Sequence, residues 1–277
     1  MYRNLGSTDI LMYDLVNLIS ALFLFAYNFS RISEKVTLLG NKSKTLLKFY
    51  KNQTGYTLLK NPVFYAYAET IIISVFSYAP VRFLTVKFGL LAKTGANYFG
   101  FIFFIPLFLL MICYFFRLNP LRQIDLITPS FPLALIFVKL ACFCNGCCQG
   151  FECSWGMTNY FYLTGPKNEF PSQLLESGLG LALFVFLHLY RKKAKEGTMF
   201  PLYIITYSVT RFFSEFTRGE PNVFGILKTY HIICIIGVVL GIIEFVIALK
   251  YAEKIVSLFD RPSFTWYKEK EIVHHKK

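Results

Sequence analysis

Charge is scarce in this chain: Asp, Glu, Lys and Arg together make up 16% of its 277 residues. Soluble domains carry about 25%. With 55% hydrophobic residues and a mean hydropathy of +0.48, the scarcity excludes an ordinary soluble domain. Acidic residues are the rarer sign, 16 against 29 basic, for a formal charge of +13. Histidine is rarer still, with His188, His231, His274 and His275 the whole complement. Internal repeats and low-complexity segments are absent, which argues against a small-solute transporter built from paired broken helices. No small-residue cleavage site follows the first apolar stretch, which only Arg3 precedes, which Asp14 and Asn17 interrupt, and which ends in Asn28-Phe29-Ser30. The expectation is a retained helix rather than a cleaved leader.

What is there are recurrent apolar bands of about 20 residues, the length that crosses about 30 Å of hydrocarbon. They predict an all-α polytopic membrane protein of seven helices near 10–29, 63–81, 97–116, 126–146, 173–190, 199–216 and 230–250. The basic residues alternate between loops. Arg31, Lys35, Lys42, Lys44, Lys48, Lys51 and Lys60 follow the first band, Arg117 and Arg122 the third, and Arg191, Lys192, Lys193 and Lys195 the fifth. By the positive-inside rule the N-terminus is expected outside and the C-terminus in the cytoplasm. The basic excess is thus an orientation signal, not the footprint of a nucleic-acid partner. One membrane domain is expected over residues 1–255, followed by a basic cytoplasmic tail over 256–277. The cytoplasmic loop around 30–61 shows no helical periodicity, and the outer loop at 150–171 is long enough to cover or gate a site.

Two stretches carry chemistry. The fourth band runs from Asp125 and Pro129 through Lys139 to Cys142, Cys144, Asn145, Gly146, Cys147, Cys148 and Gly150. A lysine at hydrocarbon depth costs about 2.5–3.5 kcal/mol on insertion scales, and the glycines and asparagine beyond it suit irregular backbone lining a polar cavity. In the sixth band Arg211, Glu215 and Arg218 stand at i, i+4 and i+7, one helix face, with Tyr207 a turn above. Arg211 and Glu215 can pair, leaving part of the guanidinium fork for a phosphate; a purely structural ion pair between helices is the other reading. The predicted topology brings both stretches to the outer side. Glu69 and Asp14 could offset the cations or simply hydrogen-bond between helices as buried carboxyls.

Four blocks, in order, resemble the prolipoprotein diacylglyceryl transferase family. Tyr13 stands where the family has Tyr-Gly, with Asp14 in place of the glycine. The Asp125–Gly150 run is similar to its signature in the variant ending Asn-Gly-Cys-Cys-x-Gly. Pro171, Gln173 and Glu176 resemble its Pro-x-Gln-x-x-Glu, and Arg211-Phe212-x-x-Glu215-Phe216-x-Arg218 its Arg-Phe-x-x-Glu-Phe-x-Arg. Besides Asp14, there are three further departures from the pattern: Lys139 replaces the signature arginine, the stretch from Lys93 to Gly100 has no His-Gly-Gly, and Phe170 stands where a histidine precedes the Pro-x-Gln block.

The resemblance implies a multi-pass enzyme of the bacterial cytoplasmic membrane. It would move the diacylglyceryl group of phosphatidylglycerol to the lipobox cysteine thiol of a prolipoprotein, with no cofactor. Arg211 and Lys139 would hold the phosphate, with Glu215 orienting Arg211. Asn145, Gly146 and Gly150 would shape the turn at the head group, with Asp125, Gln173 and Glu176 beside it. Arg218 would attract head groups at the outer surface. Without the family histidine, the candidates for thiol activation are Glu215, Tyr98 and Tyr13, and His231 lies on the correct side. A catalytically silent relative that binds an anionic lipid or a signal helix is the alternative. The cysteines fit small polar packing residues, and the family variants need no metal. Two other readings stay open: a disulfide using Cys153, and a zinc site starting from Cys144-x-x-Cys147.

Overall fold

The computed structural model describes residues 7–40, 70–71, 97–116, 119–144, 146–159, 166–219, 221 and 225–259. These residues are mostly helical. Helix α1 is Ser7–Gly40 and α2 is Asn97–Phe116; α3, Pro120–Ile127, leads into α4, Ser130–Cys144. A hairpin of β1, Glu152–Asn159, and β2, Lys167–Glu169, precedes α5, Ser172–Tyr190, then α6, Met199–Glu215, and α7, Thr229–Phe259. Three helical stretches among them are long and apolar enough to cross a membrane: Pro120–Cys144, Ser172–Tyr190 and Thr229–Ala252.

The third, fifth and sixth expected bands coincide with α2, α5 and α6 to within a residue. The second, at 63–81, lies outside the described residues apart from the helical pair 70–71. Helix α1 continues to Gly40, into the stretch read as a loop, and α7 runs to Phe259, across the boundary placed at 255.

The fourth band is not one rod. Asn119 caps α3 by accepting from the Arg122 N–H (3.2 Å), and Pro120 opens it, where its missing N–H costs nothing. Pro129 then interrupts the backbone ladder. The carbonyls around the break are met locally: Thr128 Oγ1 donates to Ile124 O and Ser130 Oγ to Ile127 O, each at 2.6 Å. Such side-chain repair lets a break persist in an apolar setting.

Within the stretch read as a loop at 150–171, the described residues form a hairpin. Its strands pair antiparallel with Met157 opposite Glu169 and Asn159 opposite Lys167, and the register slips between Glu152 and Met157. Gly156 sits so close to the Glu169 backbone that a Cβ would meet it at 2.4 Å. Phe151 stacks on Phe170, and Trp155 meets the same ring edge-on. Trp155 is 70% exposed, an amphipathic ring of the kind enriched at the membrane–water boundary.

One apolar cluster joins α2 to α7, with Leu109, Ile127, Phe131, Leu187, Met199 and Tyr203 at its centre. Helices α6 and α7 pack most extensively, followed by α4 with α5. Their closeness has a local cause: a Cβ on Gly237 would lie 2.3 Å from Ser208 Oγ, and one on Gly241 2.7 Å from Ile205. Two glycines four residues apart form the small-xxx-small surface that lets membrane helices approach. The opposite face of α7 leaves Ile235, Ile236, Val239, Ile242, Ile243 and Val246 exposed, as suits contact with lipid.

Candidate active site

The chemically rich residues gather at one end of the bundle, where α4 and α6 finish and α5 and α7 begin. Their meeting point is Glu176, in the second turn of α5 and 3% exposed. Lys139 of α4 places Nζ 2.7 Å from Glu176 Oε2, and Arg211 of α6 places Nη1 2.9 Å from Oε1. Arg218, in the turn after α6, reaches Oε1 at 3.5 Å. The other arm of Arg211, Nη2, lies 2.5 Å from Glu215 Oε2, the i, i+4 pairing expected from the sequence. Arg211 thus divides its fork between two carboxylates, while its guanidinium carbon sits 5.2 Å from the Tyr230 ring centre. Three cations surround two carboxylates. Among the described residues these five charges share a poorly solvated shell, where charge is felt strongly.

Backbone completes the site. Gly150 N donates to Phe170 O (3.1 Å), Phe151 N to Thr217 O (3.1 Å) and Gly219 N to Gln149 O (3.3 Å). Chain on three sides leaves no room at Gly150, where a Cβ would lie 2.4 Å from Phe170 O and 2.6 Å from Thr217 O. The turn before it takes left-handed backbone at Gly146 (φ 62°) and at Cys148 (φ 61°). Gln173 Nε2 donates to Cys147 O at 2.6 Å, and Arg218 Nη1 donates to Cys148 O. Hydrogen bonds from the Cys142 and Cys147 thiols, with the charges of Lys139 and Arg218, hold the Cys148 thiol well below its usual range.

The sequence-predicted residues sort clearly. Lys139, Arg211, Glu215, Glu176, Gln173, Gly146, Gly150 and Arg218 come together. Arg218 differs from expectation: it is buried, turned back toward Glu176 and Cys148 rather than displayed at the surface. Asp125 is not with them. Its carboxylate accepts from Gly197 N (2.6 Å) and Met199 N (3.0 Å), capping the start of α6. The site lies at the other end of that helix, about 25 Å away at the helical rise per residue. Asn145, Glu69 and the side chains of Tyr13, Asp14 and Tyr98 lie outside the described residues.

Two residues were not anticipated in their roles. Lys228 is buried, and its Nζ donates to Glu215 O (3.0 Å), which also accepts from Arg218 N (3.1 Å), and to Arg218 O (2.5 Å), tying down the turn after α6. His231 is fully buried between Phe212 and Phe216. Its Nδ1 accepts from the Lys228 N–H at 2.9 Å, which places the proton of the neutral ring on Nε2. That tautomer has no lone pair left to take a proton from a thiol. Neither a lysine just before a helix nor a histidine in its first turn gives a sign in sequence of such engagement; only the adjacency of Lys228 to the seventh band could have hinted at it.

A helical bundle with apolar outward faces and a buried cation–carboxylate cluster defines a membrane protein with a polar site at one end of its helices. The profile of the prolipoprotein diacylglyceryl transferase family matches residues 5–247, and the chain belongs to that family. It is similar to the phosphatidylglycerol–prolipoprotein diacylglyceryl transferase of Clostridium tetani, 36% identical over 132 residues, 45% of this chain and 53% of that protein. The second such enzyme of Clostridium perfringens is 35% identical over 135 residues, covering 45% and 51%. That of Campylobacter hominis is 29% identical over 168 residues, covering 58% of each. The chain thus spans about half the length of the curated relatives it matches.

Proposed function

We propose that this protein transfers the diacylglyceryl group of phosphatidylglycerol to the lipobox cysteine thiol of a prolipoprotein, in the bacterial cytoplasmic membrane. The observation that carries the reading is the convergence of Lys139, Arg211 and Arg218 on Glu176. Cations from three segments, pre-assembled in a buried site, suit a phosphate whose charge grows as it leaves. In the transfer, a sulfur–carbon bond forms at the glycerol carbon while the bond from that carbon to the phosphate oxygen breaks. Glycerol phosphate departs and takes up the thiol proton. Glu176 serves as a positioning carboxylate that keeps the cations charged and aimed before lipid arrives. The seven-span topology with an outside N-terminus and a cytoplasmic C-terminus belongs to the same proposal, and places this end of the bundle at the outer leaflet.

A specific observation favours a second reading, a silent relative that only binds the lipid or signal helix. Glu215 is fully buried and ion-paired with Arg211, and His231 is held in the wrong tautomer. One assay separates the two. Membranes containing the protein are incubated with phosphatidylglycerol labelled in its acyl chains and a peptide bearing a signal helix and lipobox cysteine. Transfer of label to the thiol, lost in Arg211→Ala at unchanged expression, is the expected result. Label retained by the protein but never passed to the peptide overturns the transferase reading in favour of the silent one.

A further inference from the structure

The turn beside the cation cluster gathers three sulfurs for which the transfer has no use. Cys142, in the last turn of α4, and Cys147 and Cys148, beyond it, hold their Sγ atoms all within 4.8 Å of one another. Cys144 and Cys153, the other cysteines of this stretch, are outside the group. The gathering is built. Gly146 N donates to Phe143 O (3.2 Å) and Cys147 N to Cys142 O (3.0 Å), folding the chain back over the helix end. Cys148 accepts a left-handed backbone to join it, a conformation that costs a non-glycine residue about 1–2 kcal/mol. The turn is held from outside by Gln173 on Cys147 O and Arg218 on Cys148 O.

We propose that Cys142, Cys147 and Cys148 form a thiolate site for a thiophilic d10 cation, Cu⁺ or Zn²⁺. Three sulfurs about 2.3 Å from a central ion stand about 4 Å apart, so the present spacing closes with small side-chain rotations. An all-sulfur donor set selects this class of ion over the hard cations. Three thiolates satisfy Cu⁺ alone, whereas Zn²⁺ would add water as a fourth ligand. Each ligating thiol gives its proton to solvent and no redox change is involved. Lys139, within electrostatic reach of Cys147 and Cys148, and Arg218, bonded to Cys148 O, offset the negative charge the complex would carry. Bound metal would fix the two carbonyls that orient Gln173 and Arg218, linking metal occupancy to the cation cluster. The site does not depend on the transferase reading.

The test uses the full-length protein in detergent, purified with a non-thiol reductant. It is titrated with Cd²⁺ and followed by thiolate-to-cadmium absorption, and separately with Cu⁺ against a chromogenic chelator. The expected endpoint is one ion per chain, lost in Cys142→Ser, Cys147→Ser and Cys148→Ser and kept in Cys144→Ser and Cys153→Ser. Should the first three variants fail to fold, maleimide mass-tagging of the wild type decides: Cd²⁺ should shield three thiols and leave Cys144 reactive. Three results overturn the proposal. These are the absence of a stoichiometric endpoint, an endpoint that depends on Cys144 or Cys153, and tagging that shows Cys147 or Cys148 already joined in a disulfide that reductant must open.

Discussion

Glu176 is the residue on which the candidate site turns, because its carboxylate is the common partner of Lys139, Arg211 and Arg218. Breaking a buried pair by removing one partner costs about 3–5 kcal/mol, since the surviving charges stay buried without compensation. Glu176→Gln should therefore melt well below the wild type in detergent. Added phosphatidylglycerol should raise the melting temperature of the variant more than that of the wild type, because its phosphate can take the place of the lost carboxylate. Thermal melts with and without the lipid check both halves. Asp125→Ala should behave differently: loss of the cap of α6 costs about 0.5–2 kcal/mol while the KM for lipid stays unchanged, which paired melting and transfer assays would read. Much of this site was legible in sequence. Helical spacing pairs Arg211 with Glu215, and a lysine in an apolar band demands a partner. The identity of that partner was not legible, because Glu176 belongs to another helix and spacing says nothing across a fold. Asp125 was misplaced for a related reason: an aspartate that caps a distant helix looks, in a list of residues, like one that binds a ligand.

Among the elements, helices α2, α5 and α6 could be read almost to the residue, because apolar length and flanking charge both mark their ends. The break at Pro129 and the hairpin could not. An apolar run with two prolines three residues apart looks continuous until the side chains that repair the break are seen, and β1 mixes polar and apolar residues without clean alternation. The closest helix pair gives an element-scale prediction. Gly237→Leu must push α7 away from Ser208 of α6, and overpacking of this kind costs about 1–3 kcal/mol. Gly178→Ala, where nothing lies within 4 Å of the added carbon, should leave stability unchanged or slightly raised. Thermal denaturation of the two variants side by side distinguishes tight packing from a general intolerance of glycine replacement.

For the whole molecule, the gathering of the site at one end of the bundle makes orientation testable. Cys144 is exposed at that end, so a membrane-impermeant maleimide should tag it in intact spheroplasts. A cysteine introduced at Lys195, beyond the opposite end of α5, should react only after the membrane is opened. Reversed labelling would place the cation cluster in the cytoplasm, away from any secreted precursor.

The backbone clasp at Gly150 bears on how such a site could admit its reactants. The root of the β-arm is sewn to the start of α5 and to the turn after α6 by Gln149, Gly150 and Phe151, which directly follow Cys147 and Cys148, whose carbonyls Gln173 and Arg218 grip. Lifting the arm at that seam would unfasten the charged cluster with it. Exchange of reactants at the cluster is therefore cheapest with the seam left shut.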